Sequence, residues 1–187
     1  MDNGASSYRR FRDNGDERGL DAIIMEYKDG LMLYLTSIVG NIQTAEELTE
    51  DTFVLLGTKK PRFNGESSFR TWLYAIGRHL ALDWRRRHLR LRTVPLGEQT
   101  ALADAEAAVE ANYLKKEQQI HLHRAMRRLN RDYQQVLWLI YFEDMSAKEA
   151  AAVMRKSVRS VESMLYRARK SLRSQLESEG FDYEEFG

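Results

Sequence analysis

The sequence predicts an all-α protein of two small helical domains joined by a linker, and three observations carry that reading. The only prolines in 187 residues are Pro61 and Pro95. Apolar residues recur at spacings of three and four and nowhere alternate as a half-buried strand requires. After Arg92 the stretch TVPLGEQTALADAEAAVEAN holds one Pro, one Gly, small residues and a net acidic charge, the composition of a connector. The chain accordingly divides into an extension (1–15), a first domain (16–92), a linker (93–116), a second domain (117–176) and an acidic tail (177–187).

In chain order, helices are expected over 16–39, 44–58, 67–90, 117–129, 132–143, 146–153 and 157–177. Thr44 with Glu47, and Ser146 with Glu149, have capping-box spacing at two of these starts. On the third helix Leu73, Ile76, Leu80 and Trp84 line one apolar face, and Arg70, Tyr74, Arg78, Ala81 and Arg85 line another. The sixth and seventh helices have helix-turn-helix grammar. Ala147, Ala150 and Ala151 permit close approach, MRKSV makes the turn, and Val161, Leu165, Ala168 and Leu172 form a seam on the longer helix.

Composition removes several function classes. There are no cysteines, which excludes disulfides, thiolate metal sites and cysteine nucleophiles. No secretory leader and no run of about 20 apolar residues is present, so a soluble cytoplasmic chain is expected. His121 and His123 stand two apart on a helix and point to different faces, while His79 and His88 stand nine apart, so no chelating pair forms. Without a glycine-rich phosphate loop or a nucleophile elbow, neither enzyme activity nor a cofactor is expected.

Charge is segregated rather than scarce. Residues 67–92 carry seven arginines against Asp83 alone, and residues 119–176 carry twelve Lys and Arg against five acids. Residues 41–56 hold only the acids Glu46, Glu47, Glu50 and Asp51, and the tail from Glu177 holds five. Two basic blocks separated by acidic ones fit two contacts with a polyanion. The aromatic and arginine stripe of the third helix suits single-stranded nucleic acid, where cations follow phosphates and rings stack on bases; a solvated basic helix with a packed aromatic underside shows the same periodicity. On the last helix Arg159, Ser160, Ser163, Arg167 and Lys170, preceded by Arg155, Lys156 and Ser157, form a free face of the kind that enters a major groove. A helical hairpin made soluble by basic residues is the plain alternative.

Three stretches together resemble one family. AEELTEDTFVLLGTK resembles region 2.2, FNGESSFRTWLYAIGRHLALDWRRR regions 2.3 and 2.4, and MSAKEAAAVMRKSVRSVESMLYRARKSL region 4.2 of bacterial sigma-70 family RNA polymerase sigma factors, in the compact extracytoplasmic-function (ECF) group. The resemblance implies that Glu47, Leu48, Glu50, Asp51 and Phe53 face the β′ clamp helices of RNA polymerase core, with the β flap as a second docking point. It implies −10 contacts, as melted strand with a flipped base, from the loop Lys59, Lys60, Pro61, Arg62, Phe63, Asn64 and Gly65 and from Phe69, Arg70, Trp72, Tyr74, Arg78, His79 and Arg85. It implies −35 contacts, as duplex, from Arg155, Lys156, Ser157, Arg159, Ser160, Ser163 and Arg167, with Tyr166 and Arg169 shared between packing and support. The implied partners are core polymerase, promoter DNA and an anti-sigma factor, often membrane-bound, with no small-molecule substrate.

The sequence departs from the family pattern at three places. His79 stands where Asn is common, Arg159-Ser160-Val161 where Gly-Thr-Val is common, and Leu129-Asn130 where Leu-Pro is usual. Asn130 can still cap a helix. Two rival readings stay open on sequence alone: a stand-alone helix-turn-helix regulator binding paired half-sites, and a helical scaffold using its charged faces for protein contacts. The acidic tail shielding a basic face in cis is a further expectation, beside a solvated terminus.

Overall fold

The computed structural model describes residues 3–91 and 122–178, and every described element is helical. The expectations for the linker, for the first residues of the second domain and for the acidic tail beyond Ser178 lie outside the described residues. Four helices, α1 (Asn3–Asn14), α2 (Glu17–Val39), α3 (Ile42–Lys59) and α4 (Phe69–Leu91), make the N-terminal bundle. A helical segment at 122–127, then α5 (Arg131–Leu137), a π turn (Trp138–Phe142), α6 (Ala147–Met154) and α7 (Val158–Ser178), make the C-terminal unit. Among the described residues no helix is long and apolar enough to cross a membrane.

Local chemistry sets the helix ends. The Asp16 carboxylate accepts from the Arg18 amide at 3.2 Å to start α2, and Gly40, at φ 80°, ends it by donating its N–H to the Thr36 carbonyl at 2.8 Å. The next residue caps α3: Asn41 Oδ1 accepts from the Thr44 amide at 2.9 Å. Thr44 is therefore inside the helix and not its cap. Asn130 caps α5 through the Tyr133 amide at 2.9 Å, as the sequence allowed. At α6 the Ser146–Glu149 capping box is complete in both directions.

Two further expectations are corrected. The extension is a helix, and its Tyr8 and Phe11 are buried in the bundle core. The helix expected over 132–143 remains α-helical only to Leu137 and then widens into the π turn. That widening brings Trp138 and Phe142 into a parallel stack, with centroids 4.3 Å apart, while Trp138 Nε1 donates to the buried Glu143 carboxylate at 3.2 Å.

α2 is the central post, packed on α1, α3, α4 and α5. Ile23, Leu31, Leu35 and Ile38 along it are fully buried in one apolar core that continues from the bundle into the C-terminal unit, through Val136, Leu139, Ala150 and Val153. Far apart in sequence, the two units are thus packed together, chiefly α4 against α6. Gly30 lets α2 approach this seam, because a Cβ there would meet the Tyr74 hydroxyl at 2.6 Å and Glu143 Oε1 at 2.7 Å.

Candidate nucleic-acid interface

The C-terminal helix pair has the geometry that its sequence predicts. α6 ends at Arg155, which adopts a left-handed conformation (φ 52°) and donates its N–H back to the last turn of the helix. The Ser157 hydroxyl then accepts from the Ser160 amide at 3.2 Å at the head of α7. Val161, Met164 and Ala168 are buried, with Leu165 and Leu172 packed against the core. Burying that seam turns the opposite side outward, where Arg155, Ser157, Arg159, Ser160, Ser163, Arg167 and Lys170 are all exposed. Lys156 is half-buried and pairs with Asp132 at 3.5 Å. Tyr166 is 70% exposed and lies outside the core, whereas Arg169 sits over the Tyr141 ring at 5.4 Å.

The stripe on α4 is placed differently. Arg78 is 9% exposed and its Nε donates to Gln135 Oε1 at 3.1 Å across the seam between the units. Tyr74 is buried, and burial pushes its phenol far above the ordinary value, reinforced by the neighbouring Glu143 carboxylate. Half-buried Arg70 donates to the Glu143 carbonyl at 2.8 Å and lies over Tyr27. The face expected to be free is therefore covered by the C-terminal unit. Periodicity cannot distinguish a stripe that meets solvent from one that meets a second domain.

Further along α4, His79 is exposed and lies 3.4 Å from Asp83, which also pairs with Arg86, and Trp84 stacks on His88 at 4.3 Å. Half-buried Arg85 shares a cleft of about 460 Å³ with Arg131, Arg167, Asp132 and Tyr133. Partial burial and the nearby Arg85 charge pull the Arg131 guanidinium below its ordinary value, while its Nη1 donates to the Ile38 carbonyl at 2.8 Å.

Before α4, Lys59 at the end of α3 and Lys60, Arg62, Asn64 and Gly65 of the loop face solvent, with Pro61 half-buried. Phe63 and Phe69 are buried in an aromatic cluster with half-buried Trp72, at centroid separations of 5.3 to 5.7 Å. These three rings form a floor beneath the loop, so Phe63 and Phe69 are not open stacking surfaces in this arrangement. The loop's polar tip is shaped by the Glu66 amide, which donates to Asn64 Oδ1 at 3.3 Å, and by Gly65 at φ 77°.

On α3, Glu47, Glu50 and Asp51 are exposed but Leu48 and Phe53 are buried in the core. The apolar member of the exposed face is Val54, 59% exposed, which the sequence reading missed. Positions 47, 50, 51 and 54 share one helical stripe, a spacing that could have identified it. The exposed face of this helix is thus acidic with a single aliphatic centre.

Comparison with known proteins fits both units. The family description "Sigma-70 region 2" matches residues 23–91, and "Sigma-70, region 4" matches residues 120–172. The RNA polymerase sigma factor YlaC of Bacillus subtilis is 28% identical over 158 residues, covering 84% of this chain and 91% of that protein. The ECF RNA polymerase sigma factor BldN of Streptomyces coelicolor is 29% identical over 160 residues, covering 84% of this chain and 60% of that longer protein. In solved structures, the sigma factor RpoE in complex with the anti-sigma factor NepR from Bartonella quintana shares the fold, with TM-score 0.69 at 21% identity over 84% of this chain and 96% of that one. Both matched regions are those of a transcription initiation factor rather than of an enzyme. Matched in order across both helical units, the chain belongs to the sigma-70 family of RNA polymerase sigma factors, in its ECF group.

Proposed function

We propose that this chain gives RNA polymerase core its promoter specificity by reading two elements in two physical states. The exposed face of α7 enters the major groove of the −35 duplex, where Arg159 and Arg167 address base edges and phosphates and Ser157, Ser160 and Ser163 supply short hydrogen bonds. The loop of Lys59, Lys60, Arg62 and Asn64, with α4 behind it, takes the −10 element as melted strand, and a base extruded there is held by polar contacts and stacking. The α3 stripe of Glu47, Glu50, Asp51 and Val54 docks on a basic, partly apolar surface of core. The observation that carries the reading is the side-by-side placement of a helix-turn-helix whose predicted face, apart from half-buried Lys156, is exposed and a loop-plus-α4 unit lined with cations.

The packing of α4 on α6 gives this function a conformational requirement. Tyr74 and Arg78 reach the melted strand only when the two units part, so the packed form is a resting state that core polymerase opens. An anti-sigma factor that prefers the packed form would keep the chain there, and the solved relative in complex with NepR supports such a partner. The experiment separates the two DNA contacts in reconstituted holoenzyme. Arg62→Ala with Asn64→Ala reduces capture of a single-stranded −10 oligonucleotide but leaves −35 duplex binding intact, whereas Arg159→Ala does the opposite. Equal losses in both assays from both variants overturn the division of labour. These exposed positions are cleaner probes than Trp72→Ala, which would remove part of the aromatic core.

A further inference from the structure

The family match for the first region begins at residue 23, yet α1, at Asn3–Asn14, is packed into the same bundle and reaches the loop that opens the candidate strand-binding surface. Its Tyr8 is fully buried, and the hydroxyl donates to the Pro61 carbonyl at 2.6 Å, a bond spanning 53 residues of sequence. The Tyr8 ring meets Phe69 at 5.5 Å and Trp72 at 5.2 Å, the same two rings that hold Phe63 from below. One turn on, Phe11 carries the Lys60 ammonium 4.7 Å above its centroid. Two glycines allow the close docking. A Cβ on Gly4 would lie 2.5 Å from Phe69, and one on Gly19 would lie 2.3 Å from the Ser7 carbonyl of α1. Burial pushes the Tyr8 phenol up to about 12, so it stays protonated, and remains a donor, throughout the physiological range.

Between the end of α3 and Ser68 the chain has no regular secondary structure. Lys60 begins it in the left-handed region at φ 45°, where a side chain is disfavoured unless its surroundings fix it. The loop's fixed points are therefore the Tyr8 bond at Pro61, the Phe11 contact at Lys60, the buried Phe63 ring and the Asn64 turn. A loop ordered before its ligand arrives does not lose that conformational freedom on binding.

We propose that α1 is a positioning element for strand capture, and that Tyr8 is the residue which holds the Lys60–Gly65 loop in its receptive shape. This inference rests on the proposed −10 function of that loop. Tyr8 touches no DNA and acts through Pro61, so its signature is a change in strand binding that duplex binding does not share.

The test compares the full-length chain with Tyr8→Phe, which keeps the ring in the aromatic cluster and deletes only the hydroxyl, and with a chain lacking residues 1–14. Amide hydrogen exchange of peptides covering 60–68 is measured on the free protein. Affinity for a single-stranded −10 oligonucleotide and for a −35 duplex fragment is measured on the reconstituted holoenzyme. Loss of one hydrogen bond predicts about fivefold faster loop exchange and about fivefold weaker strand binding for Tyr8→Phe, with duplex affinity unchanged. The truncation, which also removes Phe11, is expected to exceed that loss. Faster exchange with unaltered strand affinity makes Tyr8 structural only and overturns the proposal, as does unaltered exchange. Wild-type holoenzyme that captures no single strand overturns the parent reading and this inference with it; wild-type capture matched by Tyr8→Phe overturns this inference alone.

Discussion

Glu149 illustrates how much one side chain can join. Its carboxylate accepts from the Ser146 amide at 3.0 Å and hydroxyl at 2.8 Å, closing the cap of α6, and from the Ser68 and Thr71 hydroxyls of the N-terminal bundle at 3.1 and 3.4 Å. Burial alone would push its carboxyl up from 4.5, but these donors outweigh burial and hold it below that value. A carboxylate depressed on folding stabilises the native state above its unfolded-state value, and that contribution is lost as pH falls through the folded-state value. Glu149→Gln is therefore expected to cost about 1 kcal/mol at pH 7 and progressively less below about pH 4.5, measured by denaturant unfolding of both proteins across that window. Arg78 makes a sharper test of the seam, because its buried charge is met by neutral groups, Gln135 across the seam and the Tyr34 phenol of α2. Gln135→Ala leaves the guanidinium buried without that acceptor and is expected to cost about 2 kcal/mol, whereas Arg78→Met removes the charge, leaves only a neutral amide oxygen without its donor and is expected to cost about 1 kcal/mol. A larger loss from Arg78→Met than from Gln135→Ala in the same unfolding assay would contradict this account of the seam.

At the scale of elements, α7 was the most legible in sequence. Its apolar seam, small-residue approach and basic face all belong to one helix, so local spacing contains the information. For the same reason the prediction is local: Arg159→Ala and Arg167→Ala are each expected to weaken duplex binding and to lower the slope of log affinity against log salt by about 1, read in a salt titration. α1 was not legible as a packed helix, although Tyr8 and Phe11 stand at helical spacing. A twelve-residue helix with two large rings among Asn, Ser and Arg gains its stability from the partner surface and not from its own propensity. The start of α3 was misplaced for a similar reason. Asn41 and Thr44 can both cap, and Asn41 wins because Gly40 has just terminated α2 and leaves it extended at φ −142°.

At the scale of the whole molecule, the two domains were visible in the sequence but their contact was not. The stripe of Arg70, Tyr74 and Arg78 reads identically whether it meets solvent, a nucleic acid or another domain, and its partners Gln135 and Glu143 lie beyond the linker. Leu48 and Phe53 show the reverse limit: a motif implies which helix meets a partner, and only packing decides which of its residues turn inward. Because the chain has no cysteines, dye pairs can be attached at Thr58 and Ser174, both exposed, by introducing one cysteine at each. Energy transfer between them is expected to fall when core polymerase is added, as α6 leaves α4, and an unchanged distance would contradict the resting-state reading.

On this reading the chain directs RNA polymerase to promoters. The most direct measurement is transcription in vitro from sheared genomic DNA with purified chain and bacterial core polymerase, with transcript 5′ ends mapped by sequencing. Discrete start sites absent with core alone are expected, each preceded by a shared pair of sequence elements at −10 and −35. No new start sites, together with specific duplex binding by the chain on its own, would contradict it and favour a stand-alone regulator.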